Sequence, residues 1–184
     1  MKELAVFIFG IVTALAGAYA YQQHPHQAQA PSGQLEHVRN EFEFTVQAPY
    51  AMTAPLFGPE GERGWGGKDW DPHFLYPQPA QDIQGAVFTV HHGHHSSYWV
   101  NTLFDKDAKH FQYAYFIPDA LVTLIDVRFT EIGAASTKVN VAYERTALSP
   151  EANDQVRELG NSDKDNGKEW GTAVNSYLAK SAGR

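Results

Sequence analysis

The chain has 184 residues, which is enough for one globular domain with a sizeable core. Apolar residues make up 43%, charged residues 19% and aromatic residues 13%, and this composition excludes an intrinsically disordered chain. The formal net charge of -7 makes nucleic acid an unexpected partner. Because the chain has no cysteine, it has no disulfide, no thiolate metal site and no cysteine nucleophile.

The first twenty residues differ in composition from the rest of the chain. Lys2 gives a minimal positive end, residues 4–18 are almost free of polar side chains, and Ala18-Tyr19-Ala20 places small residues at cleavage positions. This pattern predicts a secretory signal peptide over residues 1–20 and export to the periplasm or another part of the cell envelope. After cleavage no membrane span is expected, whereas the alternative is an uncleaved anchor.

Residues 21–34 have the composition of a linker, rich in Gln, His, Ala and Pro, so we place the globular domain at residues 35–182. Polar and apolar residues alternate over residues 41–47, which predicts a first strand. Residues 49–76 contain many glycines and prolines together with several aromatic residues, and we expect an irregular segment with short helices there.

Five apolar runs of strand length follow this irregular segment. The connections between them are short, which favours consecutive antiparallel hairpins and leaves no room for helical crossovers. The runs cover residues 83–92, 98–104, 111–117, 121–130 and 137–145.

The last segment changes from a period of two to the period of a helix. Ser149-Pro150 is a typical helix start, and apolar residues then recur at helical spacing, namely Trp170, Ala173, Val174, Tyr177 and Leu178. Gly160 and Gly167 predict a bend or a break within the helix. The complete pattern predicts an α+β fold in which a curved antiparallel sheet wraps around a long C-terminal helix and leaves an internal apolar cavity.

Several segments also resemble a known group of proteins. PLFGPEGERGWGGKDWDPHFLYP (residues 55–77), GAVFTV (85–90), YWVNTLFD (98–105), VAYERTALSP (141–150) and KEWGTAVNSYL (168–178) resemble bacterial members of the START-like helix-grip superfamily, also called SRPBCC or polyketide cyclase-like proteins. The resemblance implies a helix-grip architecture whose cavity holds lipids, polyketides or other hydrophobic molecules. It does not imply one activity, since some relatives catalyse cyclisation and others only bind ligands.

Aromatic residues are the main candidates for the lining of such a cavity, and the alternative role for each is plain core packing. Strand alternation places Phe111, Tyr113 and Tyr115 on one face, and we expect this face to point inward. The sequence therefore predicts an exported binding protein for a lipid-like or aromatic small molecule, with no cofactor. The candidate ligand-binding residues are Trp65, Trp70, Phe74, Tyr76, Phe88, Trp99, Tyr113 and Tyr115.

Carboxylates in the irregular segment offer an enzymatic alternative. Glu60, Glu62, Asp69 and Asp71 can perform acid and base chemistry of the cyclase or hydrolase kind if they lie buried beside the cavity. The alternative is a solvated loop, and no catalytic set is assigned. The serines lack a nucleophile-elbow setting.

A histidine-rich turn at residues 91–95 offers a third function, metal binding. His91, His92, His94 and His95 lie close in sequence, and imidazole is the commonest metal-binding side chain. His73 or His110 can complete such a site if the fold brings one of them close. A solvated hairpin turn is the alternative, because Gly93 lies at its centre and two serines follow.

Overall fold

A computed structural model describes residues 33–92 and 95–183. The predicted signal peptide and all but the last two residues of the predicted linker lie outside the described residues. Within these two ranges, no helix combines the length and the hydropathy that crossing a bilayer requires.

Seven antiparallel strands form one sheet. Its spatial order is β1-β7-β6-β5-β4-β3-β2, so β2 to β7 are a run of consecutive hairpins and β1 pairs with the last strand. The strands are β1 (His37–Val46), β2 (Pro72–Tyr76), β3 (Val87–His92), β4 (His95–Asp105), β5 (His110–Ile117), β6 (Leu121–Gly133) and β7 (Ser136–Ala147).

The predicted first strand and the five predicted apolar runs correspond to β1 and to β3 through β7. The strand β2 was not predicted, because it lies in the segment that we assigned to irregular structure. It has only five residues, begins at Pro72 and contains a register shift against β3 between Phe74 and Tyr76. A pattern this short cannot establish a period of two.

Short helices fill the segment between β1 and β2, and two longer ones end the chain. The first group consists of α1 (Tyr50–Thr53), a 3₁₀ turn (Ala54–Phe57) and α2 (Pro59–Glu62). The second consists of a 3₁₀ turn (Pro150–Ala152), α3 (Asn153–Ser162), a second 3₁₀ turn (Asp163–Asp165) and α4 (Asn166–Ala182). The C-terminal helix is therefore split, as predicted, and the break lies between Gly160 and Gly167.

The concave face of the sheet packs against α4. Trp170 and Val174 of α4 are buried, and the Trp170 ring meets Phe42 of β1 edge to face at 5.4 Å between centroids. On β5, Phe111, Tyr113 and Tyr115 point into this core, whereas Phe116 is exposed on the outer face. The predicted α+β architecture, a curved antiparallel sheet with a long C-terminal helix, is confirmed.

Candidate functional site

A small cavity lies between the inner face of the sheet, the segment around α2, and α4. Its volume is about 20 Å³, which is room for about one water molecule. The cavity is much smaller than the ligand-holding cavity that the sequence predicts, because large side chains fill most of the space that a ligand would need. The lining residues are Pro59, Glu62, Trp70, Phe88, Trp99, Tyr113, Ile125, Val127, Tyr143 and Trp170.

Four of the eight predicted aromatic residues line this cavity. Phe88 of β3 and Trp99 of β4 are register partners and stack at 5.7 Å between ring centroids, with an interplanar angle of 15°. Trp70 stands perpendicular to Trp99 at 5.3 Å. Tyr113 of β5 is the fourth. These rings give the cavity flat apolar walls, which suit an aromatic guest.

Three more of the predicted residues are buried directly behind the lining. Trp65 packs edge to face on Trp170 at 5.3 Å between centroids, and Phe74 stacks on Phe88 at 5.4 Å. Tyr115 stacks on Trp99 at 4.2 Å. In this structure these three residues support the walls rather than contact the cavity.

Tyr76 lies outside the site, and the expectation that it lines the cavity is corrected. Its side chain is 58% exposed. Tyr76 was a candidate only as one of the aromatic residues of the predicted irregular segment. The bulge around Leu75 pairs Tyr76 with Val87 and turns both Leu75 and Tyr76 to solvent.

Sequence reasoning did not assign Tyr143 and Trp170 to the site, although signals for both existed. Tyr143 follows the inward alternation of β7, and Trp170 lies on the apolar stripe of α4. Glu62 was one of several loop carboxylates, and nothing local distinguished it from the others. Its place at the C-terminal end of α2, facing the sheet, depends on the tertiary fold.

Glu62 brings a carboxyl group into the aromatic cavity. Burial raises its pKa well above the ordinary value, and the negative charge of Asp82 raises it further. Among the described residues its carboxyl has no hydrogen-bond partner. Asp82 is held in place because it accepts hydrogen bonds from the backbone N–H groups of Glu60 at 2.9 Å and Gly61 at 3.2 Å. A protonated Glu62 can donate a hydrogen bond or a proton to a guest.

Trp170 adds an unused donor to the same cavity. Its side chain is buried at 4% exposure, and its indole Nε1–H has no hydrogen-bond partner among the described residues. The neighbouring Trp65 donates its Nε1–H to the Leu56 carbonyl at 2.6 Å. A buried N–H without a partner costs about 1–3 kcal/mol, so a bound acceptor atom would recover that cost.

Two tyrosine hydroxyls complete the polar groups of the cavity. Tyr113 donates its hydroxyl to the Phe57 carbonyl. Burial raises the pKa of Tyr113 and of Tyr143 well above the ordinary value, so both hydroxyls stay protonated. The site is therefore an apolar aromatic pocket in which, among the described residues, Trp170 has a free donor and a protonated Glu62 can donate, whereas the Tyr113 hydroxyl proton is already bonded to the Phe57 carbonyl.

One side of the cavity is closed by residues 58–70, which we call the lid segment. It carries Glu62 and Trp70, and it is attached to the rest of the domain by the buried rings of Trp65 and Trp70 and by polar contacts. Arg63 donates to the Asp71 carboxylate and to the Pro72 carbonyl, and within the segment Trp70 donates its Nε1–H to the Pro59 carbonyl at 3.0 Å. These contacts hold the segment over the sheet.

The candidate metal-binding histidines that the structure describes lie in two separate places. His73 of β2 lies beside His91 of β3, with 5.2 Å between ring centroids. Of the two histidines that we expected could complete a metal site at residues 91–95, the fold therefore brings His73 close. The other, His110, bonds through Nε2 to Asp126 at 2.6 Å on β5 and β6. His94 and the side chains of His92 and His95 lie outside the described residues. Within the described part of the chain, no group of three or more His, Asp or Glu side chains is placed to hold a metal ion.

Comparisons with known proteins rest on structure alone. No protein-family model matches the chain, and no match is found among curated proteins. Norcoclaurine synthase from Thalictrum flavum, solved with dopamine and hydroxybenzaldehyde, superposes with a TM-score of 0.59 at 11% identity over 84% of this chain and 98% of that one. The chain has the helix-grip fold.

Two further structures share this helix-grip fold. An uncharacterised protein from Rhizobium leguminosarum has a TM-score of 0.57 at 17% identity, over 80% of this chain and 97% of that one. DynU16, from the dynemicin biosynthetic locus, has a TM-score of 0.51 at 14% identity, over 77% of this chain and 47% of that one. At such low identity the similarity establishes the fold and transfers no activity.

Proposed function

We propose that this protein binds a small aromatic molecule that carries a hydrogen-bond acceptor, in the cavity between the sheet and α4. The observation that carries the proposal is that Trp170, whose buried Nε1–H has no partner within the described part of the chain, lines an aromatic cavity together with Glu62. An acceptor atom on the guest would take the Trp170 hydrogen bond, and Phe88 and Trp99 would stack on its ring. The dopamine and hydroxybenzaldehyde bound by norcoclaurine synthase belong to this chemical class.

Binding requires the cavity to enlarge, because about 20 Å³ holds no organic molecule. The lid segment is the part that would move, since it is a short irregular segment that carries Trp70 and Glu62, and its ion pair between Arg63 and Asp71 is exposed. Trp65 and Trp70 of this segment are each only 5% exposed, so the guest has to replace the apolar contacts that their rings give up.

A two-part experiment tests the proposal. Native mass spectrometry of the tag-free protein, before and after denaturation, detects any organic molecule that is carried through purification. Hydroxybenzaldehyde is then titrated while tryptophan fluorescence is followed, because Trp70, Trp99 and Trp170 line the cavity. Saturable quenching supports the proposal, whereas a linear response and no carried molecule contradict it.

Two neighbouring residues of β6 give a matched pair of variants for this titration. Ile125 lines the cavity, and Leu124 points to the outer face at 50% exposure. Ile125→Phe should fill the space and weaken binding of hydroxybenzaldehyde at least tenfold, while Leu124→Phe should bind like the wild type. Equal affinities for the two variants would place the guest outside the cavity.

Acid catalysis is a second candidate function, and the raised pKa of Glu62 in an apolar cavity favours it. A neutral carboxylic acid can protonate a carbonyl oxygen or a leaving group as charge develops. With dopamine and hydroxybenzaldehyde as probe substrates, turnover that disappears in Glu62→Gln while binding persists would support catalysis. Saturable binding without turnover in the wild type would leave binding as the function.

We also propose that the protein is exported. The support is the sequence of residues 1–20, with its apolar run and small residues before Tyr21. Expression of the full chain in a bacterium, followed by cell fractionation and N-terminal sequencing, tests it. An envelope protein that begins at Tyr21 supports cleavage, and a cytosolic protein that keeps Met1 contradicts export.

A further inference from the structure

The geometry points to a binding site for a divalent transition-metal ion on the outer face of the sheet, formed by His73 and His91. This site is separate from the cavity, because both side chains are directed to solvent; the side chain of His73 is 57% exposed. Pairing of Pro72 with Val90 and of His73 with Thr89 places the two histidines diagonally on neighbouring strands. The sheet itself therefore sets the spacing of the two imidazoles.

The distance between the rings suits a shared metal ion. Zinc–imidazole bonds of about 2.0–2.1 Å at a tetrahedral angle place two ring centroids about 5 Å apart. The His73 and His91 centroids are 5.2 Å apart, with an interplanar angle of 54°. The separation is therefore the one that two rings sharing an ion would have, and water would complete the coordination.

Each imidazole already has one polar partner, and that of His73 is a carboxylate, the outer partner that metal-binding histidines often use. His73 Nε2 lies 3.0 Å from Asp71 Oδ2, and His91 Nδ1 lies 2.7 Å from Ser96 Oγ. These contacts occupy one nitrogen of each ring and leave His73 Nδ1 and His91 Nε2 without a partner among the described residues. A second-shell carboxylate fixes the tautomer and the orientation of a ligating imidazole.

Asp71 is itself fixed, which makes it a positioning residue. Its Oδ1 accepts a hydrogen bond from the Arg63 guanidinium, so Oδ2 remains directed at His73. Replacing the outer-shell partner of a metal ligand typically lowers metal affinity 10- to 100-fold. Imidazole ligands favour zinc, copper and nickel over magnesium or calcium.

The test is zinc titration of the tag-free full chain by isothermal calorimetry. His73→Gln and His91→Gln should each lower the affinity at least tenfold, and Asp71→Asn should lower it about tenfold. His37→Gln is the matched control, because His37 is a strand histidine on the distant edge strand β1 and should leave the affinity unchanged. Affinity within twofold of the wild type in His73→Gln or in His91→Gln would overturn the proposal.

The histidine-rich hairpin supplies the decisive comparison. A variant in which His92, His94 and His95 are all changed to Gln keeps both proposed ligands. If this variant binds zinc tightly, and if adding His73→Gln to it abolishes that binding, the site is supported. Zinc binding that is abolished in the hairpin variant but intact in His73→Gln would place the metal on the hairpin and overturn the inference. Thermal unfolding without zinc checks that each exposed substitution leaves the fold intact.

Discussion

Arg145 of β7 and Asp163 of the 3₁₀ turn before α4 form an ion pair in which both side chains are only 1% exposed. The guanidinium contacts the carboxylate through Nη2 at 2.7 Å and Nε at 3.2 Å. Its Nη1 donates to the Tyr115 hydroxyl at 2.9 Å and to Thr123 Oγ1 at 3.1 Å. The start of α4 is thereby joined to the sheet and to Tyr115, which supports Trp99 in the cavity wall.

Asp163→Asn should lower the free energy of unfolding by about 3–5 kcal/mol, because it leaves the Arg145 charge buried without a counter-ion. Urea denaturation measures this change. Asp154→Asn is the control, since Asp154 pairs with Arg157 on the surface and its replacement should change little. Equal stability of the two variants would show that the buried pair has no special role.

Gly167→Ala should destabilise the domain by about 1–2 kcal/mol, although alanine favours helix by about 1 kcal/mol. A Cβ at this position would lie 2.9 Å from the Glu43 carbonyl oxygen of β1, so α4 would have to move away from the sheet. Urea denaturation again provides the measurement. Gly183→Ala, whose Cβ would meet nothing closer than 3.9 Å, should have little effect.

The strands and the helix break could be predicted because they depend on local patterns. Alternation on β5 separates Phe111, Tyr113 and Tyr115 from Phe116, and the structure has the same two faces. No such alternation was identified over residues 72–76, which we assigned to irregular structure, so Tyr76 was a candidate only because it is aromatic. The prediction failed there because the register shift in β2 turns Tyr76 outward.

The chemistry of the cavity could not be predicted, because it depends on contacts between distant segments. Arg145 looks like an ordinary polar strand residue until the chain places Asp163 against it, and Glu62 looks like any loop carboxylate. Cavity volume depends on the rotamers of rings from six segments of the chain. Sequence patterns contain no information on how completely those rings fill the space.

Trp170→Phe and Trp65→Phe should differ in their effect on stability, although the substitutions are chemically identical. Trp65→Phe leaves the Leu56 carbonyl without its donor, whereas Trp170→Phe removes an N–H that has no partner among the residues that the structure describes. We therefore expect Trp65→Phe to be the less stable variant, by about 1–3 kcal/mol in urea denaturation. In hydroxybenzaldehyde titrations the order should reverse, with weaker binding by Trp170→Phe. Weaker binding by Trp65→Phe alone would contradict the role given to Trp170.

Glu62→Gln should change how stability depends on pH. The folded-state pKa of Glu62 is raised above its unfolded value, so its contribution to stability is fully present below the unfolded pKa and is lost as pH rises through the folded pKa. The wild type should therefore lose stability relative to Glu62→Gln as pH rises above the ordinary pKa of a glutamate and through the raised pKa of Glu62, as measured by urea denaturation at each pH. Asp82, whose pKa is also raised, is present in both proteins, so its contribution largely cancels. Glu169→Gln alters an exposed glutamate next to Trp170, and its free energy of unfolding should depend on pH in the same way as that of the wild type. A stability difference between the wild type and Glu62→Gln that stays constant with pH would mean that the Glu62 carboxyl is as ionised in the folded protein as in water, and would remove the physical basis for acid catalysis in the cavity.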